Sequence, residues 1–389
     1  MESYIIVGGG LAGLTAANAL AGRGDRVTVL EQSERLGGRA TTREEQGYRF
    51  NLGPHALYRG GRAMRTRHDW KVAIRGHVPD VSRQSFLVYE GRKYDFFTGA
   101  GGILHTPLFR WSEKIEAVRM FTSLTRGSTL RGELMDHWLR RHTRSERVRA
   151  LGAAIIRVST YAADHARLSA RAALDQFRLA RRNGVLYVDD GWQTLVDGLA
   201  NRARSLGVQI RTGQLVESLK ALDASAVILA VPPRAVEQIA GGRLPVLRSV
   251  RAATLELGIR TLPEGAARFA LGLDRPLYFS QHSAGTIYVA KYLTDTDDNA
   301  NAQVELEGFA DLAMPGWRQH ADVVRFLPSL TVTHAIAAPD GRPDVDAAGI
   351  DGVALAGDWI GPEGMLADAA VASALRAAAM VQRRKVKAA

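Results

Sequence analysis

Three glycines near the start of the chain have the spacing that lets a backbone wrap around a pyrophosphate. Gly8, Gly10 and Gly13 follow the apolar run 4–7 and lead into the small-residue run 11–21. In this pattern the first glycine permits a tight turn, the second lets the backbone approach a phosphate, and the third lets a helix pack closely on a strand. The free N–H groups and the dipole at the helix N-terminus favour an anion. The segment therefore predicts a dinucleotide site.

An acidic residue closes the unit that these glycines open. Residues 26–30 are typical of a second strand, and Glu31 follows directly. A carboxylate at this place binds the hydroxyls of an unmodified ribose and repels a 2′-phosphate. The sequence therefore disfavours NADP and leaves NAD and FAD as alternatives.

A second motif follows the acid and distinguishes between the two. Residues 35–42 read RLGGRATT, with Gly37 and Gly38 next to Arg39. Here the chain resembles the flavin amine oxidase, phytoene desaturase and protoporphyrinogen oxidase superfamily, whose members carry Arg-x-Gly-Gly-Arg-x-x-Ser/Thr after the ribose-binding acid. The resemblance implies a non-covalent FAD, with the glycines alongside the flavin and Arg39 on the cofactor phosphates, since a guanidinium pairs with phosphate through two hydrogen bonds.

The segment Gly53-Pro54-His55 is the next match to the superfamily. Relatives have a turn at this place that lies near the isoalloxazine ring. A histidine there has three interpretations: a proton acceptor, a residue that shapes the pocket, or a structural histidine with satisfied hydrogen bonds. All three remain open, and His55 is the one candidate for a catalytic residue.

The C-terminal region matches as well. Residues 352–359 predict a final strand that leads to Gly357 and Asp358, and a helix is predicted from about Leu366 to Arg383. The resemblance implies that Asp358 binds the ribityl chain or a phosphate-associated group. It also implies that the N–H groups and dipole at the helix start, near Leu366, stabilise negative charge on the reduced ring.

Carried over residue by residue, the resemblance gives a predicted cofactor site. Val216, in a strand predicted at 215–219, matches the position whose backbone contacts the adenine. The predicted cofactor-binding residues are Gly8, Gly10, Leu11, Ala12, Gly13, Glu31, Gln32, Gly37, Gly38, Arg39, Gly53, Pro54, His55, Val216, Gly357, Asp358, Met365 and Leu366. No metal site is predicted.

These motifs need a scaffold, and three α/β blocks separated by two inserts provide one. The predicted fold class is α/β: a Rossmann-like FAD-binding domain built from three segments, with a discontinuous α+β substrate-binding domain that contains a helical insert. The predicted FAD-binding segments are 1–75, 190–235 and 330–389, and the substrate-binding segments are 76–189 and 236–329. Hairpins are predicted at 85–96 and 276–293, the latter around His282-Ser283-Ala284-Gly285, and the helical insert at about 111–186.

Composition excludes several classes of chemistry. None of the 389 residues is a cysteine, which excludes disulfides, thiolate metal sites, cysteine nucleophiles and a thioether-linked flavin. The net charge of +11 comes from basic residues spread along the chain, so charge alone does not predict a nucleic-acid partner. No apolar run reaches the roughly 18–20 residues of a membrane span, and the N-terminus has no signal-peptide pattern. A cytoplasmic protein is expected, and the oligomeric state stays open.

Arginines between residues 119 and 149 raise the question of contact with a membrane surface. Apolar residues among them could form an interfacial face: Met120, Phe121, Leu124, Leu134 and Trp138. A core-facing stripe with a solvated basic face is the favoured interpretation.

The predicted function is an FAD-dependent oxidoreductase, desaturase-like, that removes a hydride from an apolar or polycyclic small molecule, with reoxidation by oxygen or another acceptor. A flavin amine oxidase and a non-redox FAD-dependent isomerase or cyclase are the alternatives. Many amine oxidases place a lysine near the flavin, and Lys291 is the one lysine on a plausible strand. Its neighbours do not resemble that site, so an exposed strand lysine is expected.

Overall fold

Both helices and strands contribute to the fold, and a run of consecutive helices separates two groups of strands. The computed structural model describes residues 3–283, 285–295 and 299–387. The strands are β1 (Ser3–Val7), β2 (Arg26–Leu30), β3 (Thr42–Glu45), β4 (Tyr48–Asn51), β5 (Leu57–Tyr58), β6 (Gly76–His77), β7 (Ser85–Tyr89), β8 (Arg92–Asp95), β9 (Val185–Val188), β10 (Gln209–Arg211), β11 (Ala226–Leu229), β12 (Val250–Ile259), β13 (Phe269–Gly272), β14 (Leu277–Ser283), β15 (Thr286–Leu293), β16 (Ala321–Thr333) and β17 (Val353–Leu355). The helices are α1 (Leu11–Ala21), α2 (Arg62–Asp69), α3 (Ala100–His105), α4 (Trp111–Arg126), α5 (Met135–His142), α6 (Glu146–Thr160), α7 (Ala170–Asn183), α8 (Gln193–Ser205), α9 (Pro233–Ala240), α10 (Ala302–Ala313) and α11 (Leu366–Lys387).

A five-stranded parallel sheet forms the first core, and its strands come from three distant parts of the chain. Their order is β10-β2-β1-β11-β17. The strands read as short apolar runs because helices cover both faces, as parallel sheets require; Ile6, Val29 and Ile228 are fully buried. The strands predicted at the start of the chain, at 226–233 and at 352–359 are therefore present, although the last two are shorter than expected.

One predicted strand is wrong. Residues 215–219 form no strand, because the chain after β10 crosses over the end of β2 instead of pairing alongside it. The backbone N–H of Gln214 donates to the carbonyl of Glu31 at 2.8 Å, which fixes this crossing. Leu215 is exposed and Val216 is buried. The apolar pair that resembled part of a strand therefore lies in a loop.

A seven-stranded sheet of order β16-β12-β15-β14-β13-β7-β8 forms the second layer. Both predicted hairpins are present in it, as β7–β8 and β14–β15; Ala284 of the second predicted turn lies outside the described residues. The two longest strands, β12 and β16, were not predicted. One face of this sheet packs against α10, with Leu255, Phe279 and Val289 fully buried there.

Helices α4 to α7 form the predicted helical insert over the other face of that sheet. Met120, Leu124 and Trp138 have no exposed surface, so three of the five side chains considered for a membrane surface belong to the insert's own core; Phe121 and Leu134 are half-buried. Among the described residues no helix has the length and apolar character to cross a membrane. The favoured core-facing interpretation accounts for these three residues.

The predicted domain bounds stay a proposal. The parallel sheet draws on the three predicted FAD-binding segments, and the seven-stranded sheet draws on both substrate-binding segments. β16 crosses the proposed bound at residue 330, because it continues its pairing with β12 to Thr333.

Close packing of α1 against the first strand gives a test of this fold. A Cβ added at Gly13 would lie 1.9 Å from the carbonyl oxygen of Gly8. We expect Gly13→Ala to lower the free energy of unfolding by about 1–3 kcal/mol, because backbone must move to admit the methyl group. Chemical denaturation measures this change.

Gly308→Ala is the matched control, since Gly308 lies in α10 with nothing within 4 Å of the added Cβ. It should leave stability unchanged or raise it by about 0.5–1 kcal/mol. Equal losses in both variants would show that α1 does not pack on β1 through Gly13.

Candidate functional site

A cavity of about 950 Å³ opens where the strands of the parallel sheet end. Carboxyl ends of parallel strands are the usual place for a ligand in such a sheet. Of the residues predicted from the sequence to hold a cofactor, all line this cavity except Gly13 and Met365. The structure therefore brings together segments that are more than three hundred residues apart in the chain.

The glycine turn supplies backbone N–H groups at one end of the cavity. Gly8 has a φ of +106°, and Gly10 is the N-cap of α1, with no side chain bonded to the first-turn amides. These amides are free to bind an anion. Gly13 lies behind the turn, where its lack of a side chain lets α1 sit against Gly8.

Glu31 is held beside this turn by two backbone amides. Its Oε2 accepts from the N–H of Gly9 at 2.6 Å, and its Oε1 accepts from the N–H of Ser33 at 2.9 Å. The residue is buried, and it lines the cavity together with Gln32. A carboxylate with this support is positioned to accept hydrogen bonds from hydroxyl groups of a ligand.

Arg39 and Asp358 form a bidentate ion pair across the cavity wall. Both nitrogen–oxygen distances are 2.8 Å, and Arg39 also donates to the carbonyl of Val332 at 2.7 Å. Burial acts to raise the pKa of Asp358, but the charge and hydrogen bonds of Arg39 outweigh it and hold that pKa below its ordinary value. Asp358 is therefore ionised, and Arg39 neutralises it.

The Gly53-Pro54-His55 turn forms another part of the wall. Gly53 has a φ of +78°, a conformation that favours glycine. His55 Nδ1 donates to the carbonyl of Gly53 at 2.9 Å, and the edge of the Trp192 ring contacts the imidazole, with ring centroids 4.9 Å apart. Burial lowers the pKa of His55 and Arg39 adds to this, while the carbonyls of Gly53 and Arg39 act the other way. His55 is thus a neutral imidazole at pH 7.

The start of α11 is the last part of the wall predicted from the sequence. Leu366 has a φ of +54°, which is costly for a side chain of this kind, and it lines the cavity. The preceding loop is fixed by Arg342, which donates to the carbonyls of Asp358 and Gly361, both at 2.9 Å, and to that of Gly364 at 2.7 Å. Arg342 therefore holds the geometry of the loop between β17 and α11.

The seven-stranded sheet and the helical insert supply a further part of the lining. Their contributions are Tyr161, Ala252, Thr254, Ala290, Ser329, Leu330, Thr331 and Val332. Among the described residues, the Asp, Glu, Lys and Arg side chains that line the cavity are Glu31, Arg39, Glu217 and Asp358. The sheet side of the cavity is therefore uncharged, and the charged side chains belong to the dinucleotide-binding side and the loop after β17.

Lys291 is not where the sequence suggested. The expectation of an exposed lysine is wrong: it is buried, and its Nζ lies 2.8 Å from Oε1 of Glu305 on α10. Because side chains alternate along a strand, Ala290 faces the cavity and Lys291 faces away from it. The lining from the described residues contains no lysine.

Comparison with known proteins places this geometry in a family. The sequence profile of the family described as flavin containing amine oxidoreductase matches residues 11–244, more than half of the chain. The chain belongs to this family. FAD is its cofactor, and the family description names oxidoreductase chemistry.

Individual relatives are more distant. An L-amino-acid oxidase from Bungarus fasciatus is 50% identical over 67 residues, which are 17% of this chain and 13% of that protein. An oxidoreductase structure from Methanosarcina mazei has a TM-score of 0.74 at 14% identity, over 96% of this chain and 99% of that one. A proposed protoporphyrinogen oxidase from Exiguobacterium sp. 255-15 has a TM-score of 0.68 at 19% identity, over 99% of both chains. At such low sequence identities, these similarities show that the chains share a fold and show nothing more.

The lining of the cavity fits FAD. The free amides of α1 could hold the pyrophosphate, and Glu31 could hold ribose hydroxyls. A buried neutral turn at Gly53–His55 and the start of α11 could contact the flavin ring, where helix N–H groups favour negative charge. The lining residues therefore suit each chemical part of the cofactor.

Several lining residues were not predicted from the sequence. Trp192, His334 and Tyr161 line the cavity, as do Thr254 and Ala290 on the sheet side. The role of Arg342 in fixing the loop between β17 and α11 was not predicted either. Alanine, threonine and tyrosine in a strand or helix have no spacing that marks a site, so only the fold could identify them.

The Arg39–Asp358 pair gives a pH-dependent prediction. We expect Arg39→Met to lower the free energy of unfolding by about 2 kcal/mol at pH 7, because a buried carboxylate loses its partner. Burial then raises the pKa of Asp358, so the variant folds by taking up a proton. The loss should therefore be largest at neutral pH and shrink as the pH falls towards 4. Thermal unfolding at pH 4, 5 and 7 measures it.

The double variant Arg39→Met with Asp358→Asn is the control. It should be more stable at pH 7 than Arg39→Met alone, since no unpaired charge remains. A loss in Arg39→Met that is independent of pH and unrelieved by Asp358→Asn would contradict the role of the ion pair.

Proposed function

We propose that this flavoprotein removes a hydride from a C–H bond of an uncharged, apolar or polycyclic small molecule. The observation that most supports this proposal is the uncharged sheet side of the cavity, which is lined by Tyr161, Ala252, Thr254 and Ala290. When bound, FAD would supply the hydride acceptor, and oxygen or another acceptor would reoxidise it. The predicted cofactor-binding residues are proposed to hold it.

Desolvation explains why the lining selects against charged substrates. A carboxylate or ammonium that entered the sheet side would lose its water and find no opposite charge. The hydroxyls of Thr254 and Tyr161 offer hydrogen bonds only, and Thr254 Oγ1 is buried with no partner in the described structure. A largely apolar molecule with one polar group matches this supply.

An amine oxidase is the second candidate, favoured by the family profile and by the match to an L-amino-acid oxidase. Two features of the cavity count against it. Lys291 is paired with Glu305 away from the cavity, and no described arginine or lysine on the sheet side could bind the carboxylate of an amino acid.

His55 is proposed to act as a proton acceptor at the end of the cavity where the flavin ring is proposed to bind. Nδ1 of its neutral ring carries the proton donated to Gly53, so Nε2 is the basic nitrogen. A neutral base in a buried site can take a proton from a hydroxyl or an acidic C–H group as the hydride leaves.

Anaerobic bleaching of the flavin tests the substrate class. Stopped-flow absorbance near the flavin maximum should show reduction by members of a panel of polyenes and reduced polycyclic compounds, and none by alkylamines or amino acids. An uncharged lining predicts at least about a hundredfold preference for neutral molecules over charged ones of the same size. Rapid bleaching by an amine, with hydrogen peroxide on admission of air, would establish the second candidate instead.

The pH dependence of flavin reduction tests His55. Its pKa is lowered below the ordinary histidine value, so the neutral form should dominate from pH 7 upwards and the rate should fall only on the acid side, below about pH 6.5. His55→Gln should reduce the rate by about 10²-fold or more and abolish the acid limb. Identical pH profiles in the wild type and the variant would leave His55 a structural role only.

A further inference from the structure

Three neighbouring strands of the seven-stranded sheet present one row of polar side chains towards the segment 50–53. The register of β12 with β16 and with β15 places Glu256 opposite both Arg325 and Tyr288. Each of the three contacts a different residue of the segment. The row consists of Arg325, Glu256 and Tyr288, and it is called the anchoring row below.

Two hydrogen bonds join the anchoring row to the segment. The backbone N–H of Gly53 donates to Oε1 of Glu256 at 2.9 Å. The backbone N–H of Asn51 donates to the hydroxyl of Tyr288 at 2.8 Å. Both bonds are buried, and the Glu256 side chain has no exposed surface. A buried N–H that lost such a partner would be left unsatisfied.

Arg325 completes the row from the edge strand. Its guanidinium lies over the ring of Phe50 at 5.1 Å, and its Nη1 lies 3.5 Å from Oε2 of Glu256. Glu45 also approaches Arg325, at 3.8 Å from Nε. The charges that face Glu256 are therefore one cation, on β16, and one more distant carboxylate, on β3, with the Tyr288 hydroxyl on β15.

The segment that this row holds carries two parts of the cavity wall. Gly53 accepts the hydrogen bond of His55. The side-chain oxygen of Asn51 accepts from Thr42 Oγ1 at 2.7 Å and from the N–H of Trp192 at 3.0 Å, and Trp192 contacts His55. Moving the segment would therefore move the turn, Trp192 and the end of the 35–42 loop together.

We propose that Glu256 is a positioning residue: it fixes the Gly53–His55 turn against the cavity, and through the anchoring row it couples the seven-stranded sheet to the cofactor loops. Glu256 does not line the cavity, so it acts through Gly53. The inference rests on FAD in this cavity and is independent of the substrate.

The charge state of Glu256 gives the coupling a pH dependence. Burial raises the pKa of Glu256 to about 7, while Arg325 and the Gly53 N–H act to lower it and Glu45 acts to raise it. In the unfolded chain the carboxyl has its ordinary pKa of about 4.5. The folded protein therefore retains a proton there over a range in which the unfolded chain has lost it.

Binding of FAD to three variants tests the positioning role, with flavin fluorescence quenching and flavin circular dichroism as readouts. Glu256→Leu leaves the Gly53 N–H unsatisfied, and we expect its FAD Kd to rise by about tenfold or more. Glu256→Gln keeps an oxygen acceptor and should restore the Kd to within about threefold of wild type. The matched control Glu305→Gln removes a carboxylate on α10, which covers the opposite face of the same sheet, and should leave the flavin signals unchanged.

Thermal unfolding with saturating FAD tests the ionisation. A carboxyl whose pKa is higher in the folded than in the unfolded state adds to the free energy of unfolding when it is protonated. For Glu256 this contribution is complete below about pH 4.5 and is lost as the pH rises to about 7. The Tm of the wild type relative to Glu256→Gln should therefore fall between pH 5 and pH 7.5, and then level off. Glu305→Gln should follow the wild-type profile.

Two results would overturn the proposal. One is an unchanged Kd and circular dichroism spectrum in a folded Glu256→Leu protein. The other is a Glu256→Gln protein with the Kd of Glu256→Leu and a Tm profile parallel to wild type. Failure of the wild type itself to bind FAD would instead refute the cofactor site.

Discussion

The ion pair between the half-buried Arg39 and the buried Asp358 is the constraint on which the rest of the cavity depends. It joins the loop after the second strand to the end of the last strand, and Arg39 also bonds to β16 through Val332. Three separate parts of the chain therefore meet at one guanidinium. An unpaired carboxylate at this depth would be costly, so the pair holds these segments together.

Around that pair the cavity has two sides of different chemistry. The dinucleotide-binding side offers free amides and the carboxylate of Glu31, which suit the pyrophosphate and ribose of FAD. The sheet side offers small and hydroxyl-bearing residues without charge. The register of β15 maintains this difference, because it directs Ala290 into the cavity and Lys291 against α10. A shift of one residue would exchange the two faces and place the Lys291 cation on the cavity side.

The anchoring row shows how a substrate-side sheet can act on a cofactor site without lining it. Glu256 bonds the backbone of Gly53, and Gly53 in turn accepts from His55. The segment 50–53 is therefore held in place by side chains of the seven-stranded sheet. This is the link by which a change in that sheet would reach the Gly53–His55 turn of the cavity wall.

The sequence predicted best those parts whose backbone geometry demands special residues. The turn at Gly8 and the close contact at Gly13 need glycine, and the short apolar strands of the parallel sheet are covered on both faces, so both were predictable. Strands β12 and β16 were not, since their pairing spans distant segments and their partly polar faces have no simple alternation. The face of Lys291 could not be predicted either, because it depends on register.

The residues of the site also fall into a predictable and an unpredictable group. Gly37, Arg39 and Asp358 lie in motifs with fixed spacing, whereas Tyr161, Thr254 and Ala290 are common residue types that the fold alone brings to the cavity. Glu256 also gave no signal, since a glutamate in a strand is ordinarily expected to face solvent. Substrate selection therefore depends on the part of the site that the sequence describes least.

A crystal structure of the protein with bound FAD would show directly whether these residues hold the cofactor. We expect the pyrophosphate at the N-terminus of α1, the ribose at Glu31, and the isoalloxazine ring between the Gly53–His55 turn and the start of α11, with Arg39 still paired to Asp358. A ring that lies away from the turn, or a flavin in a different cavity, would contradict this expectation.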